Sequence, residues 1–224
     1  DFLRKKHKVE IGSHIYRIGE VFDSPFSLTS TDSGLLARLQ LEESPVLNGE
    51  AAEKMKEAVT NAKNDLDSVG GVIECAVVGA EPGIGSPIFQ NVESRIASIL
   101  YSVPAVKGVE FGLGFAVSGK RGSEVNDCYA RDGDRIRTST NNSGGISGGI
   151  TTGMPIVVRA AFKPTPSIGR EQTTLNLNTG EEEILRIHGR HDPCIALRAP
   201  AVVEAAVAVA MMDLYLEAYG YDAK

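Results

Sequence analysis

The sequence predicts an α+β fold built of sandwich-like layers. Three observations carry that reading. The runs VIECAVV (72–78) and PIVVRAAF (155–162) are short, continuous and apolar, as buried strands are. Residues 47–66 and 200–219 place apolar side chains at helical spacing. Strands and helices then alternate without a clean βαβ repeat, which disfavours a doubly wound parallel sheet. At 224 residues the chain is expected to form one domain over 1–224, large enough to bury a core without staples.

The elements follow in order. Asp1-Phe2-Leu3-Arg4-Lys5-Lys6-His7 is apolar then basic, as the last turn of a helix often is. It holds no apolar run of the signal-peptide kind. With Asp rather than Met at position 1, the expectation is a chain that begins inside a longer protein. Residues 8–22 alternate loosely through Val9, Ile11, Ile15 and Ile18, which predicts strand, a turn near Gly12, then strand. Residues 23–46 are rich in Ser, Thr and Pro and read as a long loop. The helix over 47–66 has Asn48 as its cap and Glu50 and Glu53 in its first turns. After the strand at 72–78, GAEPGIGSP (79–87) is turn chemistry. Phe89, Val92, Ile96 and Ile99 step as an amphipathic helix. VKGVEFGLGFAV (106–117) reads as a strand whose glycines mark bulges or close backbone approach. Residues 118–142 form a long polar loop of nearly balanced charge, the kind that is usually functional or disordered. Segments 174–178 and 183–187 flank Asn178-Thr179-Gly180 as a short hairpin. Pro200 opens the last helix, rich in Ala and Val, and Gly220 stops it.

Composition excludes several classes. Lys plus Arg is 23 and Asp plus Glu 29, a formal charge of −6, which argues against a dedicated nucleic-acid binder. Cys75, Cys128 and Cys194 are odd in number and lack CxxC spacing, so no disulfide framework is expected, in keeping with a reducing cytoplasm. The longest charge-free core of the most apolar stretch, 205–212, falls well short of the ~20 residues a membrane span needs.

Three stretches can carry chemistry. NNSGGISGGITTG (141–153) holds five glycines, which can bend backbone N–H groups toward an anion or flat ligand, or simply make two glycine turns at strand ends. It is neither a P-loop nor GxGxxG. In KPTPSI (163–168) two prolines fix the backbone, so the heads of Lys163, Thr165 and Ser167 are held; such a set suits phosphate or a ribityl chain, or is a rigid strand exit. In GRHDPC (189–194) Arg190 offers a planar fork for phosphate or carboxylate. Asp192 can orient a donor or hold a ring nitrogen, or make a plain Asp-Pro turn. His188, His191 and Cys194 lack a fourth partner for zinc. His7 and His14 read as structural or exposed. Glu204 and Asp213 sit in the apolar last helix, where such acids face solvent or cap a neighbour. No Ser-His-Asp order, HExxH or paired carboxylates are legible.

VKGVEFG with Gly114-Phe115, then NNSGGISGGI, KPTPSI and GRHDPC, occur in this order in chorismate synthases, and Asp67-Ser68-Val69-Gly70-Gly71 precedes them. The chain resembles that family over essentially its whole length. The resemblance implies a β-α-β sandwich, here partial, in a cytoplasmic homotetramer. It implies an anti-1,4-elimination that turns 5-enolpyruvylshikimate 3-phosphate into chorismate and phosphate in the shikimate pathway. Reduced FMN is the implied cofactor, with an NADPH-drawing flavin reductase activity in some members. The flavin contacts it implies are Pro104, Ala105, Gly148, Lys163, Pro164, Thr165, Pro166, Ser167 and Arg190, with Asp192 as the acid near the flavin ring nitrogen. The loop 118–142 would lie over the flavin. The family's GESHG and RSSARET motifs, which hold its two acid histidines and most substrate arginines, do not occur in these 224 residues. The chain is therefore expected to be the C-terminal portion of such an enzyme, inactive by itself. The alternative is a non-catalytic flavin-side or oligomerisation fragment that pairs with a separate N-terminal half.

Overall fold

A computed structural model describes residues 2–189 and 191–220; Arg190, singled out above, lies outside the described residues. After a short helical turn, Leu3–His7, come β1 (Glu10–Ile18), β2 (Val21–Phe22), α1 (Ser33–Leu39), α2 (Gly49–Asn64) and β3 (Gly71–Val78). Next are α3 (Val92–Ser102), β4 (Val106–Phe111), α4 (Gly122–Val125), β5 (Tyr129–Asp132) and β6 (Arg135–Thr138). The chain continues through β7 (Ile146–Ser147), β8 (Ile150–Thr151), β9 (Ile156–Phe162), β10 (Gln172–Leu175), β11 (Glu182–Leu185) and α5 (Pro200–Tyr219). The main sheet has five strands in the order β2-β1-β3-β9-β4, with every pair antiparallel.

Side-chain alternation gives the sheet an inner and an outer face. Ile73, Cys75 and Val77 of β3 and Ile156, Val158, Ala160 and Phe162 of β9 point inward. They join the core with Ile96 and Leu100 of α3 and Val203, Val207, Ala210 and Leu214 of α5. Met55 and Val59 of α2 close the same core beside Ile15. Two bridges tie the helices down. Arg95 of α3 bonds Asp213 at 2.6 Å and Glu217 at 2.8 Å on α5. Glu204 of α5 accepts from both the amide and the hydroxyl of Ser13, each at 2.9 Å. Both helix acids thus cap neighbours. α5 is apolar on all sides, yet Val202 and Val209 are 46% and 58% exposed.

The outer face is different. At one end Ala76, Val78 and Val157 pack under Phe26, Leu36 and Leu39, so α1 and the segment before it cover the sheet there. Beside them a row of charge crosses four strands in register: His14 opposite Glu74, Glu74 opposite Arg159, Arg159 opposite Glu110. His14 Nδ1 lies 3.0 Å from Asp23 Oδ2, and its Nε2 2.9 Å from Glu74 Oε2. Arg159 donates to Glu74 at 2.8 Å and to Glu110 at 3.1 Å. The His14, Asp23 and Glu74 side chains are wholly buried.

Most predicted elements form where the pattern places them. α5 spans 200–219 with Gly220 at φ +77 beyond it, and α2 starts after Asn48, whose side chain accepts from the Glu50 amide at 2.9 Å. Four expectations change. The turn falls at Gly19, not Gly12, which lies inside β1 with Leu36 against it, leaving no room for a side chain. The loop 23–46 contains α1, capped by Asp32 on the Leu35 amide at 2.9 Å. The strand read over 106–117 stops at Phe111, because Gly112 and Gly114 turn to positive φ and a 3-10 turn, Gly114–Gly119, follows. The loop 118–142 is not featureless: it holds α4 and the β5–β6 hairpin.

Candidate functional site

The KPTPS segment leaves β9 directly and is pinned on two sides. The Lys163 amide donates to the Ala105 carbonyl at 2.9 Å, which sets Pro104-Ala105 beside it. Ala105 holds φ +73, a conformation that few non-glycine residues adopt. On the other side the Ser68 hydroxyl donates to the Thr165 carbonyl at 2.6 Å. Two further backbone bonds close the arrangement: Val69 N–H to the Pro193 carbonyl at 2.8 Å, and Arg170 N–H to the Leu66 carbonyl at 3.1 Å. The DSVGG turn before β3 is therefore the brace that holds KPTPSI against the HDPC segment.

These segments enclose a cleft of about 250 Å³ lined by Lys63, Asp67, Ser68, Ser167, His191 and Asp192 among others. Asp192 is fixed from both sides: Oδ1 accepts from the Cys194 amide at 3.2 Å and Oδ2 from the Arg198 guanidinium. Cys194 is buried, and burial pushes its thiol up, so it serves as packing rather than as a nucleophile. Among the described residues, Thr165 Oγ1 and His191 Nε2 are buried without a hydrogen-bond partner, as are His7 Nε2 and Thr138 Oγ1 elsewhere in the fold.

The structure thus sets Ala105 against Lys163 at the start of the 163–167 segment and puts Ser167, at its end, on one cleft with Asp192. It does not bring Gly148 to them. Gly148 sits on the β7–β8 turn next to the start of α3, where Gly149 accepts from the Val92 amide at 3.1 Å. Pro104-Ala105 follows the other end of α3, about 16 Å away at 1.5 Å per residue. The glycine-rich loop also spends much of its donor capacity internally. Asp127 accepts from the Asn142 amide at 2.7 Å and the Ser143 amide at 2.8 Å, and Asn141 Oδ1 accepts from Gly145 at 2.6 Å. Burial pushes the Asp127 carboxyl up, but these bonds outweigh it and hold it below its ordinary range. Sequence reasoning gave no role to Ser68 or Asp127. Ser68 was legible only as part of DSVGG; Asp127 carried no signal beyond one acid among several in a balanced loop. Among the described residues no three His, Cys, Asp or Glu side chains gather as metal ligands do.

Fold and cleft together mark a chain whose braced KPTPS segment leaves an antiparallel sheet packed between layers. The sequence model of the chorismate synthase family matches residues 1–216, and the chain belongs to that family. Among similar proteins is the chorismate synthase of Pyrococcus abyssi, 46% identical over 213 residues, covering 94% of this chain and 57% of that protein. Another is that of Methanobrevibacter smithii, 41% identical with the same coverages. A crystal structure of a chorismate synthase superposes with a TM-score of 0.78 at 29% identity, covering 98% of this chain and 60% of the other. The chain thus spans a little over half the length of the relatives it matches.

Proposed function

We propose that this chain carries the flavin-side part of a chorismate synthase site. There 5-enolpyruvylshikimate 3-phosphate loses phosphate to give chorismate, with reduced FMN as the cofactor. The observation that carries this is the KPTPS loop, braced at Lys163 by Ala105 and at Thr165 by Ser68, which runs into a cleft shared by Ser167 and Asp192. The donor set fits the group. A cation, Lys163, and two hydroxyls, Thr165 and Ser167, on one proline-fixed segment suit a phosphate and a ribityl chain. Reduced flavin, when bound, supplies and recovers electron density as phosphate leaves; the protein supplies position and electrostatics.

Each residue then has a defined task. Lys163 presents an exposed cation next to the rigid Pro164–Pro166 backbone and offsets phosphate charge. Ser167, on the cleft wall, supplies a hydroxyl to the ligand, and Thr165, whose carbonyl is held by Ser68, supplies the second. Asp192, held by Arg198 and the Cys194 amide, offers a carboxylate at fixed position for a proton on the flavin ring. Arg190 is assigned a flavin contact on the family motif alone. A cytoplasmic homotetramer is the assembly we infer from family membership.

Anaerobic titration with reduced FMN tests this reading. Binding weakened in Lys163→Ala and in Ser167→Ala, with the fold intact by circular dichroism, supports it. Binding of inorganic phosphate without any flavin binding would overturn it in favour of a generic phosphate site. Chorismate formation is then measured with 5-enolpyruvylshikimate 3-phosphate. Asp192→Asn is expected to lower the rate by about 10²–10⁴-fold wherever turnover is seen.

A further inference from the structure

The charge row on the outer face has no part in the site described above, and its buried end is unusual. An imidazole with no exposed surface stands between two carboxylates, and each ring nitrogen has an acceptor-only oxygen within 3.0 Å. A neutral histidine has one N–H and one bare nitrogen, so it can satisfy only one of these oxygens. The other would face a lone pair at hydrogen-bond distance. The geometry therefore calls for the doubly protonated ring.

Each carboxylate also holds part of the segment that covers the sheet. Asp23 accepts from the Ser24, Leu47 and Asn48 amides at 2.8, 2.5 and 2.9 Å. Glu74 accepts from the Phe26 amide at 2.5 Å, and the Phe26 ring lies edge-on to His14 with centroids 4.5 Å apart. The segment from 23 to 48, with α1 inside it, is thus fastened at both ends to the two carboxylates that the imidazolium brings together.

We propose that His14 is a proton-operated latch. Doubly protonated, it clamps Asp23 and Glu74 and so seats the 23–48 segment on the outer face of the sheet. Loss of its proton releases that segment and bares Ala76, Val78 and Val157.

The surrounding charges fit one titrating group. On β1 the neighbour is Tyr16; from β3 comes Glu74; from β9 Arg159, already shared between Glu74 and Glu110 of β4. From the covering segment comes Asp23, while Arg38 of α1 turns outward to Glu42 at 2.9 Å. Glu204 of α5 lies on the other face, on Ser13. With His14 charged, three carboxylates face two cations; without it, three face one. Burial alone would pull the His14 pKa down, but the bonds and charges of Asp23 and Glu74 outweigh it and raise it above 6.5.

Backbone hydrogen exchange of the whole chain tests the latch. Protection of the Ser24, Phe26, Leu47 and Asn48 amides, corrected for intrinsic rate, is followed from about pH 6 to about pH 10. Opening that sheds one proton should lower protection by up to about tenfold per pH unit as pH rises from the ordinary imidazole value of 6.5 toward the raised pKa of latched His14 and level off above it, while β3 and β9 amides stay level. His14→Gln should show low, pH-independent protection at the same four amides. Flat protection in the wild type overturns the proposal, as does a retained pH slope in His14→Gln. Should that variant fail to fold, ¹⁵N imidazole shifts of the wild type decide: two protonated nitrogens at about pH 6.5 support the latch, and a neutral ring refutes it.

Discussion

Gly112→Ala should destabilise the chain by about 2–5 kcal/mol, summing a left-handed backbone term and an overpacking term. Gly112 has φ +56, and a methyl there would meet the Asn142 carbonyl oxygen at 2.2 Å, the Gly144 nitrogen at 2.5 Å and the Gly144 Cα at 2.9 Å. All three are backbone atoms. They are pinned by Leu113 N–H on the Asn142 carbonyl and by Gly112 N–H on the Val157 carbonyl, both at 2.9 Å, so they have little room to relax. The left-handed conformation costs an L-residue roughly 1–2 kcal/mol, and overpacking a rigid site typically about 1–3 kcal/mol more. Gly148→Ala is the matched control: φ is +60, but no atom lies within 4 Å of the added methyl. It should cost only the first term, roughly 1–2 kcal/mol. Equilibrium urea unfolding of both variants measures the difference, provided the m-values agree. Equal losses would refute the argument, because the crossing of the two chain segments would then contribute nothing beyond the dihedral.

Two more outcomes follow from the same structure. In the native chain Cys128, which is exposed, should react with an aromatic disulfide reagent while Cys75 and Cys194, both buried, react only after unfolding; release of more than one equivalent from folded protein would contradict this burial. Burial pushes the Asp23 carboxyl up, but its bonds to His14 and to backbone amides outweigh that and hold it below its ordinary 3.8, so its stabilisation is present above that pH and lost as pH falls through the folded pKa. The stability gap between wild type and Asp23→Asn should accordingly shrink from about pH 6 to about pH 2, and a constant gap would show that the charge itself contributes nothing.

The helices were legible because their signals are local. Asn48 and Gly220 punctuate α2 and α5 within a residue, and the steps between Val92, Ile96 and Ile99 need no distant partner. β3 and β9 were legible for a related reason, since strands at the centre of a sheet are apolar on nearly every position. α1 was missed because seven residues with one buried stripe, Leu36 and Leu39, do not outweigh the Ser and Thr around them. The motifs located the candidate cleft, yet nothing local states that Ser68 would brace Thr165, 97 positions away. The row from Asp23 to Glu110 was invisible for the same reason: each member is an ordinary polar residue until strand register lines them up.

The position of β9 also sets the order in which this chain can become a sheet. Its neighbours are β3 and β4, and the pairing of Arg159 with Glu74 and with Glu110 spans 85 and 49 residues. During synthesis β1 and β3 can pair early, but β3 then waits with one edge unpaired through the making of α3, β4 and the two small hairpins before β9. Long-range antiparallel closure of this kind is slow, and an open apolar edge invites the wrong partner in the meantime. The nascent chain is thus most vulnerable between the emergence of residue 78 and that of residue 162, a window in which a ribosome-bound chaperone has the most to protect.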